Sequence, residues 1–218
     1  MIALNFIDKN INSFSIKDTA AKVRQALEQT GLTEAIVLDE KHFVGMISKE
    51  DMLEYGENSL LKEIPMQMHE SVGPQSHFFE IWTRIVENHL SCIAVVNDQD
   101  EFIGSISKQS LIQFYGQCFA MSEPGCILVL NQRRMDYSLS KIARIIEEQD
   151  CNVLGSFVSE ASDSTSVFIT LKLNCHDAQG IVNSLQRYGI EVVELFSEER
   201  FNDPLQDRFN MLMSYLNL

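Results

Sequence analysis

One stretch of this chain occurs twice, and that repetition limits the fold more than any other feature. Residues 32–56 read LTEAIVLDEKHFVGMISKEDMLEYG, and residues 90–115 read LSCIAVVNDQDEFIGSISKQSLIQFY, with one extra residue in the second turn. Residues 43–49 (FVGMISK) fall on residues 102–108 (FIGSISK). Each copy holds a short apolar strand (35–38; 93–96), a polar acidic turn and an alternating strand (43–47; 102–106), the pattern of a β-hairpin. A helix is expected directly after Ser48 or Ser107, carrying Met52, Leu53 and Tyr55, or Leu111, Ile112 and Tyr115. Upstream, Ala20, Val23, Ala26 and Leu27 recur at helical spacing after Asp18-Thr19. Phe78, Ile81, Trp82, Ile85 and Val86 do the same after Ser76. Each unit of about 60 residues reads strand, helix, strand, strand, helix, and is too small to bury all its faces alone. Two units, residues 1–58 and 59–120, are therefore expected to pack as a pseudo-symmetric pair.

Charge removes several function classes. The 218 residues hold 31 Asp+Glu against 17 Lys+Arg, a formal charge of −14. Binding to a phosphate backbone or to an anionic membrane needs a basic face, so nucleic acid and membrane are excluded as partners. At 45% apolar and 22% charged, the composition is that of a globular chain. Residues 1–8 lack the basic region and long apolar stretch of a secretory signal. The five cysteines are odd in number and widely spread, without a Cys-x-x-Cys, and read as reduced, buried thiols of a cytoplasmic protein. The histidines share no metal-ligand spacing, so no metal site is expected.

The residues Gly45-Met46-Ile47-Ser48-Lys49-Glu50-Asp51 carry a family resemblance. They match the pattern Gly-x-x-Thr/Ser-x-x-Asp of the CBS domain, and the two units together resemble a CBS tandem, or Bateman module, over roughly residues 1–118. The resemblance implies that a hydroxyl approaches a phosphate and an aspartate bonds the ribose hydroxyls of an adenosine-type ligand. Those roles fall on Ser48 and Asp51, with Gly45 and Lys49 beside them. In the second unit Ser107 is the counterpart of Ser48, but Ser110 stands where the aspartate would be. A helix N-terminus offers unpaired N–H groups and partial positive charge to an anion, and a carboxylate can accept from two ribose hydroxyls. Ser48-x-x-Asp51 also has the form of a capping box, which accounts for the same residues without a ligand. Only Lys49 and Lys108 lie beside the two motifs, so AMP or S-adenosylmethionine fits better than ATP, and no cofactor is required.

The second half changes period. Residues 116–125 contain breakers and form the boundary. An apolar strand (126–130) precedes a helix (138–148) with Leu139, Ile142, Ala143, Ile145 and Ile146 on one face. Alternating strands follow at 153–158 and 167–173. Asp177 caps a helix holding Ala178, Ile181, Val182 and Leu185 that stops at Gly189, and residues 190–196 form a last strand. This βαββαβ order is ferredoxin-like. The stretch resembles an ACT domain over roughly residues 126–198, within a unit spanning 121–200. In that family the first strand–helix loop carries Asp-x-Pro-Gly-x-Leu and admits an amino acid. Its counterparts here are Asp136, Tyr137, Ser138 and Leu139, with Tyr and Ser in place of Pro and Gly. The basic pair Arg133-Arg134 is either a solvated loop or an attractor for an anion or an acidic partner.

In residues 201–218, Asp203-Pro204 would start a helix whose Phe201, Leu205, Phe209, Leu212 and Leu216 form one apolar stripe. It would dock in the same chain or on a partner subunit. No nucleophile–base spacing, phosphate-binding loop or dinucleotide fingerprint occurs, so the expectation is no enzyme. The fold class is α+β: tandem CBS domains of βαββα repeats plus a ferredoxin-like βαββαβ ACT-like domain. In domain order and length the chain is similar to CBS–ACT proteins of the acetoin-utilisation type. That combination implies a regulatory sensor of a small-molecule effector, and pairing of the free sheet edges of the second half predicts a homodimer. The alternative is a ligand-independent homodimerisation adaptor with vestigial ligand sites.

Overall fold

Both copies of the repeat fold as hairpins with the same irregularity. In the computed structural model β2 (Glu34–Asp39) pairs antiparallel with β3 (His42–Ser48), and β5 (Cys92–Val96) with β6 (Phe102–Ser107). Each pair carries a register shift just after the residue facing a glycine: Val37 opposite Gly45, and Val95 opposite Gly104. A short parallel strand, β1 (Ser13–Ser15) or β4 (Ser71–Val72), completes each three-stranded sheet. The structure describes residues 1–66, 69–161 and 165–197. It divides at Phe114/Tyr115 into two compact units.

The first unit owes its apolar strands to burial on both faces. Ala35, Val37 and Ile47 face a core with Val23 and Leu27 of α1 (Ala20–Thr30), while Ile36 and Met46 join a second core with Ile81 and Ile85 of α2 (Phe78–Glu87). Doubly buried strands read as near-continuous apolar runs. Thr19 caps α1 by accepting from the Lys22 N–H, and Gly31 ends it in a left-handed conformation (φ 71°). The cap of α2 is His77, not Ser76; its Nδ1 accepts from the Phe79 N–H.

The two repeats exchange their leading segments. The 3-10 turn Ala3–Phe6 packs in the core of the second repeat, where Phe6 meets the rings of Phe78 and Phe114. Backbone bonds from Ala3 to Ser76 and from Asp8 to Ser105 hold it there. In the mirror arrangement, the 3-10 turn Leu61–Glu63 lies in the first repeat, with Leu61 and Ile64 in its core and the Leu61 N–H donating to Asp18. Contiguous sequence units are thus interlocked in space.

The helix expected directly after Ser48 does not form. Residues 49–54 are turns, stitched by short-range bonds such as Leu53 N–H to the Glu50 carbonyl. The turns are tied to α1: the guanidinium of Arg24 donates to the carbonyls of Met52 and Tyr55, and the Met52 carbonyl also accepts from the Tyr55 N–H. A helix here would have little apolar face to bury. Only Met52 of the apolar residues there is fully buried, while Leu53 is exposed. After Ser107 the expected helix is present as α3 (Lys108–Cys118).

The second unit has the ferredoxin-like fold. Its elements are β7 (Cys126–Arg133), α4 (Leu139–Glu147), β8 (Val153–Glu160), β9 (Ser166–Leu173), α5 (Gln179–Arg187) and β10 (Glu191–Phe196). The sheet runs β10-β7-β9-β8, antiparallel throughout. Leu128, Leu130, Ile169 and Leu171 meet Ile142, Ile146, Ile181 and Leu185 of the helices in one core. The Asp177 carboxylate accepts from the Gln179 N–H at the start of α5, but the N-cap position is Ala178, one residue later than the sequence suggests. The tail, residues 201–218, lies outside the described residues.

The cysteines depart from the expectation of free thiols. Cys151 and Cys175 form a disulfide, their Cα atoms 5.9 Å apart, with the Cys126 sulfur 3.8 Å from that of Cys175. The fold brings residues from three separate segments together, which spacing in the sequence could not reveal. Gly125 makes β7 possible. It has φ 143°, and a Cβ there would stand 2.0 Å from the Leu173 carbonyl oxygen. Gly125→Ala should therefore destabilise the second unit by about 2–3 kcal/mol, read as a lowered midpoint in chemical denaturation.

Candidate functional site: the two strand-end junctions

At the end of β3, Ser48 and Asp51 close on one another. The Ser48 N–H (2.9 Å) and hydroxyl (2.7 Å) both donate to Asp51 Oδ2, and the Asp51 N–H donates back to Ser48 Oγ (3.1 Å). This is the reciprocal capping arrangement, here closing a turn. The Lys49 N–H donates to the Thr33 carbonyl, and Gly45 is buried within β3, so the sequence-selected residues of the first repeat share one junction. Because no helix follows, the anion-favouring helix terminus expected at this junction is missing.

The second junction is built differently. The hydroxyl of Ser107, a residue 6% exposed, accepts from the Ser110 N–H (3.1 Å), and the Ser110 hydroxyl donates to the Ser107 carbonyl (2.8 Å). A carboxylate is nevertheless present. Ser107 Oγ donates to Asp8 Oδ2 at 3.1 Å, from a residue 99 positions away. Asp8 arrives on the exchanged leading segment, anchored by its N–H to the Ser105 carbonyl. The neighbouring Ile7 crosses so close to β6 that a Cβ at Gly104 would lie 2.7 Å from its methyl. In the first repeat the residue at the position of Asp8, six before the strand residue Val72 as Asp8 is six before Phe14, is Met66. Each junction therefore has one carboxylate beside its serine, from its own motif in the first repeat and from the leading segment in the second. Ser107 also stands before α3, an 11-residue helix with a true N-terminus.

Between the repeats sits another carboxylate that sequence reading missed. Glu34, 3% exposed, accepts from the N–H groups of Ser91 and Cys92 and from the Thr33 hydroxyl. The Thr33 N–H donates to Ser91 Oγ (3.1 Å) across the same seam. A glutamate opening an apolar strand gives no periodic signal of this role. Beside it, burial and then the Glu34 charge push the Cys92 thiol up to about 12.

In the second unit the counterpart of the amino-acid loop is occupied by its own contacts. Asp136 pairs with Arg133 at 2.6 Å. Tyr137 packs against the core, and Leu139 opens α4 and is partly exposed. Ser138, the N-cap of α4, makes no capping bond, its Oγ lying 3.0 Å from Ser140 Oγ. Among the described residues no group of His, Cys, Asp and Glu is arranged to hold a metal, and no helix is long and apolar enough to cross a membrane.

Two interlocked hairpin repeats have the architecture of a paired CBS module. The CBS domain family model matches residues 4–58 and 61–116, just over half of the chain, and the chain belongs to that family. Among solved structures it is similar to a CBS domain pair/ACT domain protein from Thermotoga maritima, at 18% identity over 55% of this chain and 100% of that one, with a TM-score of 0.50. It is also similar to a Vibrio cholerae protein assigned to acetoin utilization (16% identity, 56% of this chain and 95% of that one, TM-score 0.49). A third is the CBS domains of a transcriptional regulator from Streptococcus pneumoniae (10%, 52% and 98%, TM-score 0.48). No curated protein matches the chain.

The seam makes two measurable demands. Glu34→Ala strands the buried Ser91 and Cys92 donors and should cost roughly 3 kcal/mol in chemical denaturation, with Glu34→Gln losing less. Because folding raises the Cys92 pKa, the folded state holds its proton longer than the unfolded chain. Stability is then intact below the ordinary thiol value of 9.0 and falls as pH rises towards about 12. Denaturant titrations across that window should show a decline of roughly 1 kcal/mol per pH unit, shallower in Cys92→Ala.

Proposed function

We propose that the protein is a non-catalytic regulatory module whose CBS pair binds a small adenosine-type ligand and reports it by a change of shape or assembly. The observation that supports this reading is the pair of serine–carboxylate junctions, Ser48 with Asp51 and Ser107 with Asp8. A carboxylate can accept from two ribose hydroxyls, and each serine hydroxyl, once released from its carboxylate, can donate to a phosphate. With Lys49 and Lys108 as the adjoining cations, a monophosphate or S-adenosylmethionine suits the site better than a triphosphate. A ligand shifts such a module only by binding one state better than another. Breaking the Ser48–Asp51 bonds to free Asp51 Oδ2 for a ribose is one local change that would distinguish the states.

We further propose a cytoplasmic homodimer, in which pairing of the second unit covers an exposed sheet edge. A reducing compartment would hold Cys151 and Cys175 largely as a dithiol. The second reading, a ligand-independent dimerisation adaptor, is favoured by one fact: Asp51 is already satisfied by capping.

Calorimetric titration of AMP, S-adenosylmethionine and ATP separates the two. The sensor reading expects saturable binding in the order AMP or S-adenosylmethionine before ATP. Asp51→Ala should remove the first-junction component, Asp8→Asn should weaken the second by about tenfold, and Ser110→Ala should leave both. Silence from all three compounds sinks the sensor and leaves the adaptor.

A further inference from the structure

At one end of the second unit, β7, the start of α4 and the α5–β10 turn enclose a cleft of about 800 Å³. Three cationic side chains line it, Arg133, Lys141 and Arg144, against one carboxylate, Asp136. In a chain with 31 acidic and 17 basic residues, that balance is locally reversed. Gln132 also lines the cleft, and its side-chain oxygen is buried without a hydrogen-bond partner among the described residues. A buried acceptor left unmet is costly, and its natural complement is a donor from an occupant. The first turn of α4 adds N–H groups that the Ser138 side chain does not cap.

We infer that this cleft binds a compact multivalent oxyanion bearing a hydroxyl, of polycarboxylate or phosphate-ester chemistry. Lys141 makes no ion pair among the described residues and faces the occupant's charge directly. Arg133 and Arg144 are held by Asp136 and Glu148 at strongly exposed positions. Such surface pairs are worth little and exchange readily for a multivalent anion. The hydroxyl donates to the Gln132 oxygen, and the N–H groups at the start of α4 donate to the anion. The chain's overall −14 does not forbid this, because screening confines charge effects to about 8 Å at physiological salt. The cleft differs from an amino-acid site in its demand: it offers several cations and no glycine-lined wall at residues 137 and 138.

The test is titration calorimetry on the full chain with citrate in one arm and glycerol 3-phosphate in the other, against sodium chloride at matched ionic strength. The expected result is saturable one-site binding of at least one probe, weakened by added salt. Lys141→Ala/Arg144→Ala should reduce affinity tenfold or more, as expected for two lost charge-assisted contacts. Both positions are on the surface, and an unchanged circular dichroism spectrum verifies folding. Gln132→Leu, which removes the orphaned acceptor, should weaken the hydroxyl-bearing probes while leaving inorganic sulfate unaffected. Asp8→Asn and Asp51→Ala should leave all of this unchanged, which separates the cleft from the CBS junctions. The arm that binds identifies the chemistry. Silence in both arms, or equal binding by wild type and the double variant, overturns the inference.

Discussion

The carboxylate of Glu34 gathers the N–H groups of Ser91 and Cys92 at the seam where β2 lies against β5. A buried charge is tolerable only when donors surround it, and here those donors belong to the opposite repeat. Around this point each repeat is finished by the other's leading segment. Phe6 fills the core beneath Phe78 and Phe114, while Leu61 and Ile64 fill the core beneath α1. Neither repeat has a closed core of its own, so the pair should fold as one cooperative unit.

That interlocking carries the site with it. Asp8 reaches Ser107 only because the segment before β1 crosses to the second repeat, and Gly104 is bare because Ile7 lies over it. The two junctions are consequently unequal. The first has a complete motif and a carboxylate bound to its own serine, but turns where a helix would stand. The second lacks the motif aspartate, yet has a borrowed one and a genuine helix N-terminus. Changes at the N-terminal segment would reach the second junction and leave the first alone.

The second unit is also net acidic, but it concentrates its cations in one place. Its sheet and helices bury one conventional core, while the β7–α4 turn and α4 gather cations on an otherwise acidic chain. Tyr137 and Ser138, where the resembling family carries proline and glycine, serve the core and the helix start.

Much of the fold was legible because it rests on local periodicity. Alternating strands, helical spacing in α1, α2, α4 and α5, and the repeated FVGMISK and FIGSISK segments all follow from which faces must leave water. The βαββαβ order of the second half was readable for the same reason, and so was the link between Ser48 and Asp51, three residues apart. What failed depended on groups distant in sequence. The segment after Ser48 forms turns tied down by Arg24 of α1, with only Met52 of its apolar residues fully buried, and Cys151 meets Cys175 because β8 and β9 bring their ends together. By itself, then, the sequence determined a paired repeat, a ferredoxin-like unit and a serine–aspartate junction. Only the tertiary structure decided that the repeats exchange segments, that Asp8 supplies the second carboxylate and that Glu34 holds the seam. Burial patterns are written along the chain, whereas a hydrogen bond across 99 residues exists only after the fold has closed.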